Sequence, residues 1–228
     1  MPTDHPSTPG LQAIWDATLP HQSEIGAGVI ARYAEPHRVY HTGEHLAEVL
    51  RQVEALAGDH DLFLVRLAAF FHDAVYAIPA GQVTNEEASA RLAIRELSRA
   101  GLEQEDLNEV ARLVRLTAGH VPGSRDPEGE LLCDADLAVL ASPPEAYARY
   151  VQQVSEEYAR MPRLAFVRGR FRVVRELAGR DLFHTARGRA LNERARFNLV
   201  GECRTLVAEL RAAGLSPDEI GPVPGSPD

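Results

Sequence analysis

The stretch Leu62-Phe63-Leu64-Val65-Arg66-Leu67-Ala68-Ala69-Phe70-Phe71-His72-Asp73-Ala74-Val75-Tyr76 decides the fold. It is apolar on nearly every helical face. A helix that is apolar all round belongs at the centre of a folded unit, not on its surface. The sequence therefore predicts a central buried helix over 62–76. Its far part carries His72 and Asp73 side by side. An ionised Asp among apolar side chains costs free energy unless something pairs it. A divalent metal held jointly by imidazole and carboxylate is such a partner.

Working outward, the helical period continues in both directions. Leu46, Val49, Leu50, Val53 and Leu56 recur at i, i+3, i+4 and i+7, behind a start near Thr42. Downstream, Asn85-Glu86-Glu87-Ala88-Ser89 opens a helix that Gly101 ends, with Thr84 or Asn85 as cap and acids in its first turn. Residues 106–120 follow, with Val110, Leu113, Val114 and Thr117 on one face. The stretch 121–129 reads as a loop. Helices then resume over 132–140, 144–160, 163–178 and 189–213, separated by Pro143, Pro162 and Gly179. No segment alternates as a strand would. The expectation is an all-α, single-domain helical globule over 11–215, of roughly nine or ten helices. Residues 1–10 and 216–228, rich in Pro, Gly, Ser and Asp, read as flexible tails.

Bulk properties exclude several kinds of chemistry. The 228 residues, 45% of them hydrophobic, suffice for one well-buried core. A net charge of −9 argues against a polyanion-binding surface, so no nucleic-acid partner is expected. It leaves room for a small phosphorylated substrate, because a metal and a few arginines invert the local field. Every basic side chain other than histidine is Arg; the chain has no Lys. That removes Schiff-base chemistry, a P-loop lysine and a Ser–Lys dyad. Cys133 and Cys203 form no CxxC pair and read as free thiols. No stretch approaches the length of a membrane span, and Met1 to Pro6 shows no signal-peptide core. The expectation is a cytoplasmic protein with no membrane partner.

Candidate ligands lie in four segments. His41 and His45 are four apart, His45 inside the helix and His41 at its entrance, placed to reach substrate. His72 and Asp73 point about 100° apart, yet both can reach one ion between helices. In Cys133-Asp134-Ala135-Asp136-Leu137, Asp134 reads as a helix N-cap. Asp136, followed by Leu137, Val139 and Leu140, needs a partner and is the better ligand. His120 closes its helix, where the dipole favours it, and is open to a role behind the ligands, at the substrate or at a second metal. Glu86 or Glu87 could face the metal water or a sugar hydroxyl, although acids in a first turn are ordinary. Arg168 and Arg170 are spaced to clamp a phosphate, although solvated surface Arg is the plainer reading.

Taken in order, these segments resemble the HD superfamily of metal-dependent phosphohydrolases, whose pattern is His, His-Asp and a distal Asp on the helices of an all-α fold. The resemblance implies His45, His72, Asp73 and Asp136 as metal ligands. Tyr40-His41-Thr42-Gly43-Glu44-His45 also looks like the Tyr-His-Asn-x-x-His start in the distant cyclic nucleotide phosphodiesterases, which implies His41 as general acid. Thr42 departs from that pattern. A closer likeness, over about 37–205, is to a small bacterial group of predicted HD phosphohydrolases. It rests on Phe71-His72-Asp73-Ala74-Val75-Tyr76, Asn85-Glu86-Glu87-Ala88-Ser89-Ala90, Thr117-Ala118-Gly119-His120, Asp134-Ala135-Asp136-Leu137 and the segment from Glu193 to Leu199.

The expected activity is metal-dependent hydrolysis of a phosphate ester, on a nucleotide or other small phosphorylated metabolite. The cofactor is a divalent metal, drawn from Mn, Fe, Co, Zn, Ni or Mg, in a site of one or two ions. Asp73 would help orient the water and His41 would protonate the leaving oxygen. Two alternatives stand beside it. One is a di-iron oxygenase, which needs more His and carboxylate ligands than His120 adds. The other is a non-catalytic nucleotide-sensing or partner-binding domain that keeps its metal for stability.

Overall fold

A computed structural model describes residues 8–58, 61–216, 219 and 221. Among them are ten α-helices, two short 3-10 turns and no strand. The helices are α1 (Thr8–Thr18), α2 (Ser23–Arg32), α3 (Gly43–Leu56), α4 (Phe63–Phe71), α5 (Asn85–Arg99), α6 (Gln104–Leu116), α7 (Pro127–Leu137), α8 (Pro144–Glu157), α9 (Arg163–Ala178) and α10 (Asn192–Ala212). The fold is all-α, as the periodicity requires. Helix α1 begins at Thr8, inside the stretch read as a tail. The rest of that stretch, and most of 216–228, lie outside the described residues. The chain divides into two compact units, residues 1–136 and 137–228.

In the first unit α4 is the core element. Val65, Leu67, Ala68, Ala69, Phe70 and Phe71 have no solvent exposure. Trp15 of α1 packs edge-on against Phe70 at 5.1 Å and against Phe71 at 6.0 Å. Its indole N–H donates to the Gln22 carbonyl. Gly26 of α2 lies against that indole so closely that a Cβ there would overlap it.

Helix α4 ends at Phe71, five residues short of the predicted 62–76 span. Its last carbonyls are satisfied from elsewhere, which stops the helix without a Gly or Pro. The Tyr33 hydroxyl donates to Phe70 O at 3.0 Å, and the His72 ring to Ala69 O at 2.7 Å. The Arg38 guanidinium donates to Asp73 O at 2.8 Å and Ala74 O at 3.4 Å. His72 and Asp73 thus sit on the turn leaving α4. After it, α5 grips the departing backbone. The Ser89 hydroxyl meets Val75 N and O, and the Asn85 amide meets Ala77 N and O.

Helix α7 begins at Pro127, inside the predicted loop and five residues before the predicted start at Leu132. The Asp126 carboxylate accepts from Gly129 N at 3.0 Å, and Pro127 occupies the first turn, a cap-then-proline start. Arg112 of α6 clamps the same carboxylate with two hydrogen bonds of 2.8 Å. Asp134 is therefore a buried residue in mid-helix, not an N-cap.

The second unit packs α10 against α9, with α8 and the 3-10 turn Ala138–Ala141. Asn198 donates to Leu140 O and Ser142 O, holding α10 to that turn. No helix among the described residues is long and apolar enough to cross a membrane.

Candidate metal centre

The candidate centre lies wholly in the first unit and is assembled from four segments. His45 stands in the first turn of α3, on the buried face that also carries Leu46, Val49, Leu50 and Val53. His72 caps the end of α4, and Asp73 follows it. Asp136 is in the last turn of α7. His120 is the fourth residue beyond α6.

The donor atoms converge. His45 Nε2 and His72 Nε2 are 3.1 Å apart. Asp73 Oδ2 lies 3.1 Å from His72 Nε2 and 3.6 Å from His45 Nε2. Asp136 Oδ1 lies 3.3 Å from His45 Nε2 and 3.6 Å from His72 Nε2. One ligand atom each from His45, His72 and Asp73 falls within 4.8 Å of the others, compatible with a single ion. Both histidines are buried and both carboxylates nearly so.

The chemistry of the set fits a divalent cation. The Ala69 carbonyl can only accept, so the His72 Nδ1 that faces it at 2.7 Å carries the proton. In the neutral ring that leaves the Nε2 lone pair aimed into the cluster, as metal-binding histidines require. Charge points the same way. Burial opposes a charged imidazole at His45, yet hydrogen bonds to Asp136 and Asp73 push it up to about 9. His72 is raised too; burial again works against its charge, but the two carboxylates outweigh it. Burial likewise disfavours ionisation of Asp73 and Asp136, but the facing imidazoles, His72 foremost, hold both below the usual carboxylate range. Two buried carboxylates here draw positive charge between them. Protons on imidazole supply it without metal, and a divalent ion replaces them.

Two further histidines border the cluster. His41 precedes the Thr42 cap of α3 and so lies off the helix. Its ring stacks on Tyr76 at 4.1 Å and 25°, and its Nε2 is 4.0 Å from Asp73 Oδ2. His120 Nε2 lies 2.8 Å from Asp136 Oδ2, on the opposite oxygen from the one that faces His45. His120 adopts φ +50°, in the left-handed region that Gly usually fills at a helix C-terminus.

The remaining candidates stand elsewhere. Glu87 spans α5 and α6, bound to Arg91 and Arg115 at 2.6 Å each. Hydrogen bonds from Arg115 and Arg91 bring its carboxyl down to about 2. Glu86 is half-buried in the first turn of α5. In the second unit Arg168 is exposed on α9. Arg170 pairs with Glu202 at 2.7 Å and donates to the Tyr150 hydroxyl at 3.0 Å. Its guanidinium is engaged inside that unit's own packing. Sequence reasoning passed over Tyr33, Arg38, Asn85 and Ser89 as shapers of the site. Each acts through a backbone group 8–40 positions away, and periodicity carries no trace of such contacts.

A family model described as the HD domain matches residues 32–141. No curated protein and no solved structure matches the chain. The matched span holds His41, His45, His72, Asp73, His120 and Asp136.

Proposed function

We propose that this chain, whose residues 32–141 match the HD domain family, is a metal-dependent hydrolase of a phosphate ester on a nucleotide or small phosphorylated metabolite. The family includes metal-dependent phosphohydrolases. The observation that carries the reading is the convergence of His45 Nε2, His72 Nε2 and Asp73 Oδ2 with the His72 proton held at Nδ1. A divalent ion at such a set supplies Lewis acidity, lowering the pKa of water and neutralising phosphoryl charge.

The chain's own residues do the rest. His45 and His72 offer imidazole nitrogens, and Asp73 and Asp136 offer the negative charge that sets the affinity for a cation. Asp73 Oδ2 also faces His41 Nε2, so the two side chains bracket one edge of the cluster. His41 holds a proton at Nε2 for the leaving oxygen, as general acid. His120 hydrogen-bonds Asp136 Oδ2 and fixes how that carboxylate turns.

The test is hydrolysis by Mn-loaded protein of p-nitrophenyl phosphate, bis(p-nitrophenyl) phosphate and a panel of mono- and cyclic nucleotides. Turnover that a chelator abolishes and metal restores is expected. A protein that binds stoichiometric metal and hydrolyses none of them would refute the hydrolase reading. An O2-dependent optical change on iron loading would favour an oxygenase instead.

A further inference from the structure

Arg38 is a buried cation that takes no part in the ligand set, yet it touches both sides of it. Its side chain has no solvent exposure. Nη1 donates to His41 O at 3.0 Å and to Asp73 O at 2.8 Å. Nη2 donates to Ala74 O at 3.4 Å and Glu35 Oε2 at 3.2 Å, and Nε donates to Glu35 Oε2 at 3.2 Å. A guanidinium has five N–H donors in a rigid plane, and all five are used. The Tyr33 and Tyr76 rings lie 5.2 Å and 5.6 Å from its carbon, and Tyr76 is the ring on which His41 stacks. One planar group therefore joins the irregular segment carrying His41 to the turn carrying Asp73.

We infer that Arg38 is a positioning residue that fixes His41 relative to Asp73, and so holds a proton donor in register with a metal ligand. The inference rests on the hydrolase reading for its meaning, but the geometry it predicts is independent of turnover. Rigid donors matter here because His41 precedes the first turn of α3, where the helix's own hydrogen bonds do not constrain it. A lysine in this place brings three donors on a point charge and cannot occupy all five acceptor contacts. A shift in this supporting layer typically costs roughly 10–100-fold in metal affinity or activity.

The experiment compares Arg38→Lys and Arg38→Gln, which keeps a planar two-donor amide, with Glu35→Gln, which leaves both Nη1 contacts in place. Folding is followed by circular dichroism. The readouts are the visible spectrum and affinity of the Co(II)-loaded protein, the His41 ring resonances in histidine-labelled protein, and kcat and KM on p-nitrophenyl phosphate.

In folded Arg38 variants the His41 resonances should move away from their Tyr76-stacked positions and the Co(II) spectrum should change. kcat should fall roughly 10–100-fold with KM little altered. Glu35→Gln should resemble the parent in all of these. Parent-like His41 resonances and Co(II) spectrum in a folded Arg38 variant would overturn the proposal. Failure of both Arg38 variants to fold would overturn it too, since Arg38 would then serve the stability of the whole unit. If the parent protein hydrolyses nothing, the hydrolase reading fails, while the resonances and spectrum still judge Arg38.

Discussion

Asp136→Asn separates a ligand from a structural carboxylate, because it removes charge while keeping shape. Asp136 Oδ1 faces His45 and His72 at 3.3 Å and 3.6 Å, and Oδ2 faces His120 at 2.8 Å. An amide keeps the volume, so no cavity forms, but it is a poor ligand for a divalent ion. A metal at about a hundred times its Kd stabilises the parent by about 2.7 kcal/mol. If the substitution weakens binding roughly 100-fold, the same metal concentration sits near the new Kd and contributes only about 0.4 kcal/mol. The metal-dependent part of stability thus falls by about 2.3 kcal/mol. For a chain of this size that is about 5–9 °C in melting temperature. The assay is thermal melting of parent and variant with saturating Mn and with chelator, alongside elemental analysis. The variant should lose the metal-induced upshift and carry little metal. An equal drop in melting temperature with and without metal would refute the reasoning, since Asp136 would then be a fold residue only.

Three further outcomes follow from the same geometry. His41→Ala should keep metal content and melting temperature while turnover falls by roughly 10²–10⁴-fold; loss of metal as severe as in Asp136→Asn would make His41 a ligand. His120→Gly should relieve the φ +50° backbone, holding or slightly raising the melting temperature in chelator, while metal affinity drops because Asp136 loses its orienting partner; a parent-like metal titration would count against that role. Asp126→Ala should cost about 0.5–2 kcal/mol at pH 7 by uncapping α7. Burial works against ionisation at Asp126, but the hydrogen bonds from Arg112 and Gly129 lower its carboxyl, so the advantage is present above about pH 4 and is lost as pH falls further. Denaturation of both proteins from pH 7 to 3 checks the sign; a stability gap that widens on acidification contradicts it.

Side-chain periodicity and local caps were enough to read most helices in the sequence. Helices α3, α5 and α9 run over the predicted spans to within a residue or two, because their starts and stops are local. Thr84 caps α5 through Glu87 N, and Pro162 precedes α9. The candidate donors were equally legible, since a His-Asp pair beside a run of unbroken apolar side chains demands a partner. The end of α4 was not, because its terminating donors, Tyr33 and Arg38, arrive from 35–37 positions earlier in the chain. The start of α7 was missed although Asp126-Pro127 is a local cap signal; the Gly129 that follows reads as a loop residue. Here its missing Cβ makes room for the Asp126 carboxylate and Leu116.

By itself, then, the sequence determined an all-α chain, a central buried apolar helix, and an inventory of imidazoles and carboxylates suited to a divalent ion. Those properties follow from side-chain hydropathy and from the short-range geometry of the helix. Tertiary structure alone decided that the Nε2 atoms of His45 and His72 meet at 3.1 Å, that His120 faces Asp136 across a left-handed turn, and that Arg170 pairs with Glu202 inside the second unit. Each of these joins residues 16–32 positions apart, and such distances are set by how helices pack, which no local pattern encodes.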